Sequence, residues 1–266
     1  MIDRAAAPTS AAFFDLDKTI LATSSTFALQ GSFVGAGLVS RRAAIISVLV
    51  HLPYLLRGAD EARMNEMAEA LGDLTKGLDA RLLEKIVEES LDTVIDPVCY
   101  TRALEEIARH KAAGRPVVIA SASAIEVVRP IAARLGADAV LASVVEKDET
   151  GAYTGRILHY NQADGKASAC ASLAAARGWD LADCWAYSDS VSDVPLLSSV
   201  GHPVAVNPDR RLRKIAEERA WTIERFTDTA RVRPALPRPS RRVLGVAAFG
   251  ALVGLGAFAL LSSRRA

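Results

Sequence analysis

The chain has 266 residues, half of them hydrophobic and 24% charged, with a formal net charge of +1. That length accommodates one α/β domain with a smaller insert, and the near-neutral balance argues against a nucleic-acid partner. Cys99, Cys170 and Cys184 are scattered, without a CxxC pair, and read as reduced core thiols rather than a disulfide frame or a zinc site. The four histidines are equally dispersed.

Along the chain, the first residues lack a basic stretch followed by an apolar one, so no secretory signal is expected. Residues 11–16 form an apolar run that predicts a buried strand. It leads into Phe13-Phe14-Asp15-Leu16-Asp17-Lys18-Thr19-Ile20, with Asp15 and Asp17 at its C-terminal end. Ligands bind at that end in open α/β sheets. One carboxylate there can attack phosphorus and the other can move a proton, and together they can hold magnesium, which prefers hard oxygen ligands.

Residues 22–100 show helical periodicity and few strand signals, as in Leu82, Leu83, Ile86, Val87 and Leu91 with charged residues between them. Residues 43–56 are strongly apolar and read as a core helix of this insert, with a place on a bilayer surface as the alternative. From residue 101 the pattern alternates. A helix is expected over 101–112, stopped by Gly114, then a strand over 116–120 and a helix over 125–135 despite Pro130. A strand over 139–143 follows, with a hairpin around Asp148-Glu149-Thr150-Gly151. Further elements are a helix over 166–177, strands over 184–187 and 203–206, and a helix over 210–220. Such alternation predicts a doubly wound, mostly parallel α/β sheet.

The last segments differ in kind. Residues 227–242 carry Pro234, Pro237 and Pro239 among arginines and read as an extended linker. Residues 243–261 are apolar or glycine throughout, about 28 Å long as a helix, and fenced by Arg241-Arg242 and Arg264-Arg265. This predicts a single-pass transmembrane helix. The excess of arginines before it keeps the N-terminal part in the cytoplasm. Gly250 and Gly254 give a GxxxG spacing that could pair two copies as a homodimer, although glycine is common in membrane spans.

Three further features follow strand-like runs or lie between elements. Ser121 follows Pro116–Ala120, with Ser123 close enough to share or take its task. Lys166 opens a helix in Asp164-Gly165-Lys166. Asp189 and Asp193 lie in Ser188-Asp189-Ser190-Val191-Ser192-Asp193. A doubly wound sheet gathers strand ends on one rim, so these groups should surround one small volume. Such a set suits transfer of a dianionic phosphoryl group, which needs cations and hydrogen-bond donors around its oxygens. So many carboxylates also predict a bound metal. Taken singly, Asp17, Asp189 and Asp193 could be helix or turn caps, Ser121 a loop serine and Lys166 a solvated lysine.

These motifs resemble the haloacid dehalogenase superfamily of phosphohydrolases, and within it the subfamily that includes phosphoserine phosphatase. The resemblance covers residues 11–225: DLDKT at 15–19, Ser121, Lys166 and SDSVSD at 188–193. It implies a Rossmann-like catalytic core over 1–21 and 101–226 with a helical cap over 22–100. Asp15 is then the nucleophile that forms an aspartyl-phosphate, and Asp17 the general acid and base. Thr19 and Ser121 bind phosphoryl oxygens, and Lys166 steadies the phosphate and Asp15. Magnesium is held by Asp15, the backbone carbonyl of Asp17 and Asp189, with Asp193 supporting it from behind. The expected substrate is a small phosphomonoester. The membrane segment adds a lipid or membrane-associated phosphate as an alternative, and an inactive tethered scaffold is the reading from another class. Two departures concern the substrate. Ser24 stands where phosphoserine phosphatases commonly carry a glutamate, and no motif selects a carboxylate-binding arginine among Arg41, Arg42, Arg57, Arg63 and Arg81. Ser188 also replaces the glycine often seen before the first acid of the last motif, which is tolerable if the backbone there needs no positive φ.

Overall fold

The computed structural model describes residues 8–38 and 75–230. The expected membrane helix over 243–261, the apolar segment over 43–56 and most of the linker over 227–242 lie outside the described residues. Among the described residues no helix is long and apolar enough to cross a membrane.

A seven-stranded sheet organises the described chain: β1 (Ala12–Phe14), β2 (Val117–Ala124), β3 (Ala139–Lys147), β4 (Tyr153–His159), β5 (Trp185–Ser188), β6 (His202–Val206) and β7 (Thr222–Glu224). The order is β4-β3-β2-β1-β5-β6-β7. All neighbours are parallel except β3 and β4, the expected hairpin. Side chains alternate between two apolar layers, as period-2 strands buried on both faces require. Phe14, Val117, Ile119, Tyr187 and Val204 fill one layer. Phe13, Val118, Ala120, Ala186 and Ala205 fill the other.

The helices are α1 (Ser25–Gly35), α2 (Ala80–Ser90), α3 (Thr101–Ala112), α4 (Ile125–Arg134), α5 (Asp164–Arg177), α6 (Val194–Ser199) and α7 (Arg210–Glu218). α2 turns Leu83, Ile86 and Val87 inward, whereas Leu82, expected in the same apolar set, is 39% exposed. From α1, Leu29 and Phe33 join these residues in the apolar layer that holds Phe14, so the described insert helices and the sheet share one core.

Several elements differ from the sequence expectation, and β1 covers only Ala12–Phe14 of the expected 11–16. β2 runs on through Ser121 and Ser123 to Ala124, past an irregularity in its pairing with β3. The strand expected over 139–143 continues to Lys147 as the first arm of the hairpin. β7 has no expected counterpart. The three cysteines are free and buried.

Candidate active site

β1 ends at Phe14, and the chain turns back on itself over the next residues. Leu16 O accepts the N–H groups of Ile20 and Leu21 (both 3.0 Å), and Lys18 takes a positive φ of 61°. A non-glycine residue in that region costs free energy and persists only where its surroundings impose it. The turn buries Asp15 and Thr19 and leaves Asp17 half-buried and Lys18 exposed. The Asp15 N–H donates to Tyr187 O (2.9 Å), which ties this rim of β1 to that of β5.

Lys166 is placed by α5. A lysine in the first turn of a helix meets the positive end of the macrodipole, and burial penalises its charge further. Lys166 is nevertheless buried, because its Nζ donates to Asp15 Oδ1 (2.8 Å) and Asp193 Oδ2 (2.7 Å). Burial alone would lower its pKa, but the two carboxylates raise it, so it stays an ammonium. The tight entry into α5 depends on Gly165, where a Cβ would stand 2.6 Å from the Tyr160 carbonyl oxygen.

Asp189 and Asp193 follow β5. Asp193 is fully enclosed, and its Oδ2 also accepts from Ser188 Oγ (2.7 Å). Ser188 therefore does work that a glycine could not, and its φ is not positive. Thr19 Oγ1 donates weakly to Asp189 Oδ1 at 3.4 Å. Ser121 is buried on β2 and its Oγ accepts the Ser123 N–H (3.1 Å).

Two supports have no sequence motif. Asn161, wholly buried, donates from Nδ2 to the carbonyls of Ser121 and Leu141 (both 3.0 Å), which fixes the end of β2 against β3. Asp17 accepts from the Ser25 N–H on Oδ1 (2.5 Å) and from Ser123 Oγ on Oδ2 (2.9 Å).

The electrostatics fit a cation. Burial pushes the Asp15 carboxyl up, Lys166 pulls it back, and Asp193, Asp189 and Asp17 push it up again, to about 8 in all. Asp189 is pushed up to about 7, first by burial and against the pull of Lys18, with repulsion from Asp193 added. One buried ammonium thus faces more acid than it can neutralise, and Asp193 Oδ1 is buried without a hydrogen-bond partner. Among the described residues no group of three or more His, Cys, Asp or Glu side chains forms a metal cage. Two carboxylates and a backbone carbonyl are a sparser donor set. They suit magnesium, which keeps several of its waters.

The chain is similar to several known proteins. The family profile for haloacid dehalogenase-like hydrolases matches residues 12–198. A probable phosphatase of Mycobacterium tuberculosis is 42% identical over 250 residues, 94% of this chain and 86% of that protein. A phosphoserine phosphatase of the same organism is 35% identical over 263 residues, covering 97% and 81%. A solved structure of a protein of unknown function from Bordetella pertussis Tohama I superposes with a TM-score of 0.70 at 31% identity, covering 81% of this chain and 97% of that one.

Proposed function

Because the chain belongs to the haloacid dehalogenase-like hydrolase family, we propose that this phosphatase hydrolyses a phosphomonoester by way of a phosphate carried on Asp15. The observation that carries the reading is the buried Lys166, held between Asp15 and Asp193 beside Asp189. A carboxylate that lies against a buried ammonium has its counter-charge already in position for nucleophilic attack.

In the first step an Asp15 oxygen bonds to phosphorus as the bond to the leaving oxygen breaks, and Asp17 gives that oxygen its proton. In the second, water attacks the phosphorus, Asp17 takes one of its protons, and the bond to Asp15 breaks to release inorganic phosphate. Thr19 and Ser121 donate to the phosphoryl oxygens. Lys166 neutralises them and orients Asp15, while Asp193 and Ser188 hold Lys166. Asp15, Asp189 and the Asp17 carbonyl would hold magnesium, which supplies positive charge against the phosphoryl oxygens.

Phosphate release from a panel of phosphomonoesters, with and without magnesium, tests the reading. Asp15→Asn should lower turnover by at least about 10³-fold while the protein stays folded. Folded protein that releases nothing across the panel would favour an inactive scaffold instead.

The substrate reads as a small phosphorylated metabolite, selected by the cap over residues 22–100. Phosphoserine is a weak candidate. Ser24, at the position of the family's glutamate, spends its hydroxyl on capping α1, where it accepts the Phe27 N–H (3.1 Å). No carboxylate stands there to meet a substrate ammonium. Tethering rests on sequence alone. Residues 243–261 would anchor the enzyme with its active site in the cytoplasm, and Gly250 and Gly254 would let two anchors pair. The full chain should then stay with membranes through an alkaline wash. A chain ending at residue 242 should be soluble and still hydrolyse a chromogenic phosphate. If phosphorylated lipids outpace soluble esters, the alternative of a membrane-borne substrate takes over.

A further inference from the structure

Asp17 is held from two sides by groups of different kinds. Its Oδ1 accepts from the backbone N–H of Ser25, at the start of α1, at 2.5 Å. A backbone N–H can only donate, so that oxygen is committed as an acceptor whatever the charge on the carboxyl. Oδ2 meets the hydroxyl of Ser123 at 2.9 Å. A hydroxyl can donate or accept, and Ser123 Oγ has a second polar neighbour, Ser25 Oγ, at 3.3 Å, with either atom able to donate. The Ser123 N–H in turn donates to Ser121 Oγ (3.1 Å), which fixes the backbone carrying the hydroxyl.

We propose that Ser123 is a positioning residue that aims the Asp17 carboxyl at the leaving oxygen. The inference rests on the phosphatase reading above. The Ser123 hydroxyl holds Oδ2 from one side, and the Ser25 N–H holds Oδ1 from the other. Ser25 Oγ lies against Ser123 Oγ and limits where that hydroxyl can swing. A carboxyl fixed at both oxygens keeps one orientation, which a group that serves as an acid in one step and a base in the next requires.

The test compares two esters with the full-length chain in magnesium buffer. An alkyl phosphate releases a strongly basic alkoxide and needs the proton. p-Nitrophenyl phosphate releases a stable phenolate and does not. Ser123→Ala should lower kcat/KM for the alkyl ester by about 30-fold and for p-nitrophenyl phosphate by less than about 3-fold. Ser123→Thr, which keeps the hydroxyl on a strand position that tolerates β-branching, should return both to within about 3-fold of the parent. Equal losses on the two esters, retention of the alkyl activity, or failure of threonine to rescue would each overturn the positioning role while leaving the phosphatase reading in place. A parent protein that cleaves neither ester would overturn that reading and this one with it.

Discussion

Phe14 and Tyr187 lie face to face across adjacent strands, with ring centroids 4.2 Å apart and planes within 1° of parallel. They are paired in the β1–β5 register, and each sits just before an acid of the site: Asp15 follows Phe14 directly and Asp189 comes two residues after Tyr187. The stack thus sets the spacing of the two carboxylates from below. Phe14→Ala should cost about 3–5 kcal/mol in stability, because the ring is fully buried and leaves a cavity. It should also lower kcat more than it raises KM, since it shifts the nucleophile relative to Asp189. Urea unfolding and steady-state kinetics read the two effects.

Lys166→Met should damage the protein in two ways. The side chain is enclosed, and its loss leaves Asp15 and Asp193 buried against each other without the ammonium. Breaking such a pair by removing one member costs about 3–5 kcal/mol at neutral pH. Activity should fall to background. Adding Asp15→Asn should return part of the lost stability, because it removes one of the two acids left without a counter-charge. A double variant no more stable than Lys166→Met alone would contradict this account.

Gly165→Ala tests the entry to α5. The added methyl would meet the Tyr160 carbonyl at 2.6 Å, and a backbone atom cannot swing aside as a flexible side-chain end can. Overpacking of this kind costs about 1–3 kcal/mol. Because Lys166 is the next residue, the same shift should reduce kcat. Full activity with lowered stability would mean that the Lys166 ammonium absorbs the displacement.

The order of the chemistry was legible in the sequence, and its geometry only in part. Asp15, Lys166 and Asp193 stand beside one another as expected, because strand ends in a doubly wound sheet must converge. Ser121 was expected after its strand but lies within β2. The Ser121–Ala124 segment has small residues with little strand preference, and its pairing with β3 is irregular there. The clamp on Asp17 was hidden for another reason. It needs the reversal at Lys18, whose left-handed backbone no lysine advertises, to bring the start of α1 back onto the carboxylate. Asn161 follows a hairpin with no motif around it, and its value comes only from the carbonyls that the fold puts in its reach. β7 is three residues long, too short for a period-2 signal.

Acid sensitivity should trace in part to His110. It is wholly buried under the sheet, where Arg115 Nε donates to its Nδ1 (2.8 Å) and its Nε2 meets the Tyr187 hydroxyl (2.9 Å). With Nδ1 accepting, the single ring proton sits on Nε2, and a second proton would face the Arg115 guanidinium. Burial, with Arg109 and Arg115 adding repulsion and Glu106 opposing, lowers its pKa from 6.5 to about 4. Between those values the unfolded chain binds the proton and the folded one does not, so stability falls as the pH drops through that window and is complete above it. The full difference corresponds to about 3 kcal/mol. Urea midpoints of the parent should therefore drop between pH 6.5 and 4. His110→Gln, which has nothing to protonate, should drop by less over the same range. Parallel slopes for the two proteins would show that carboxylates alone set the acid limit and that the imidazole is not held neutral by its surroundings.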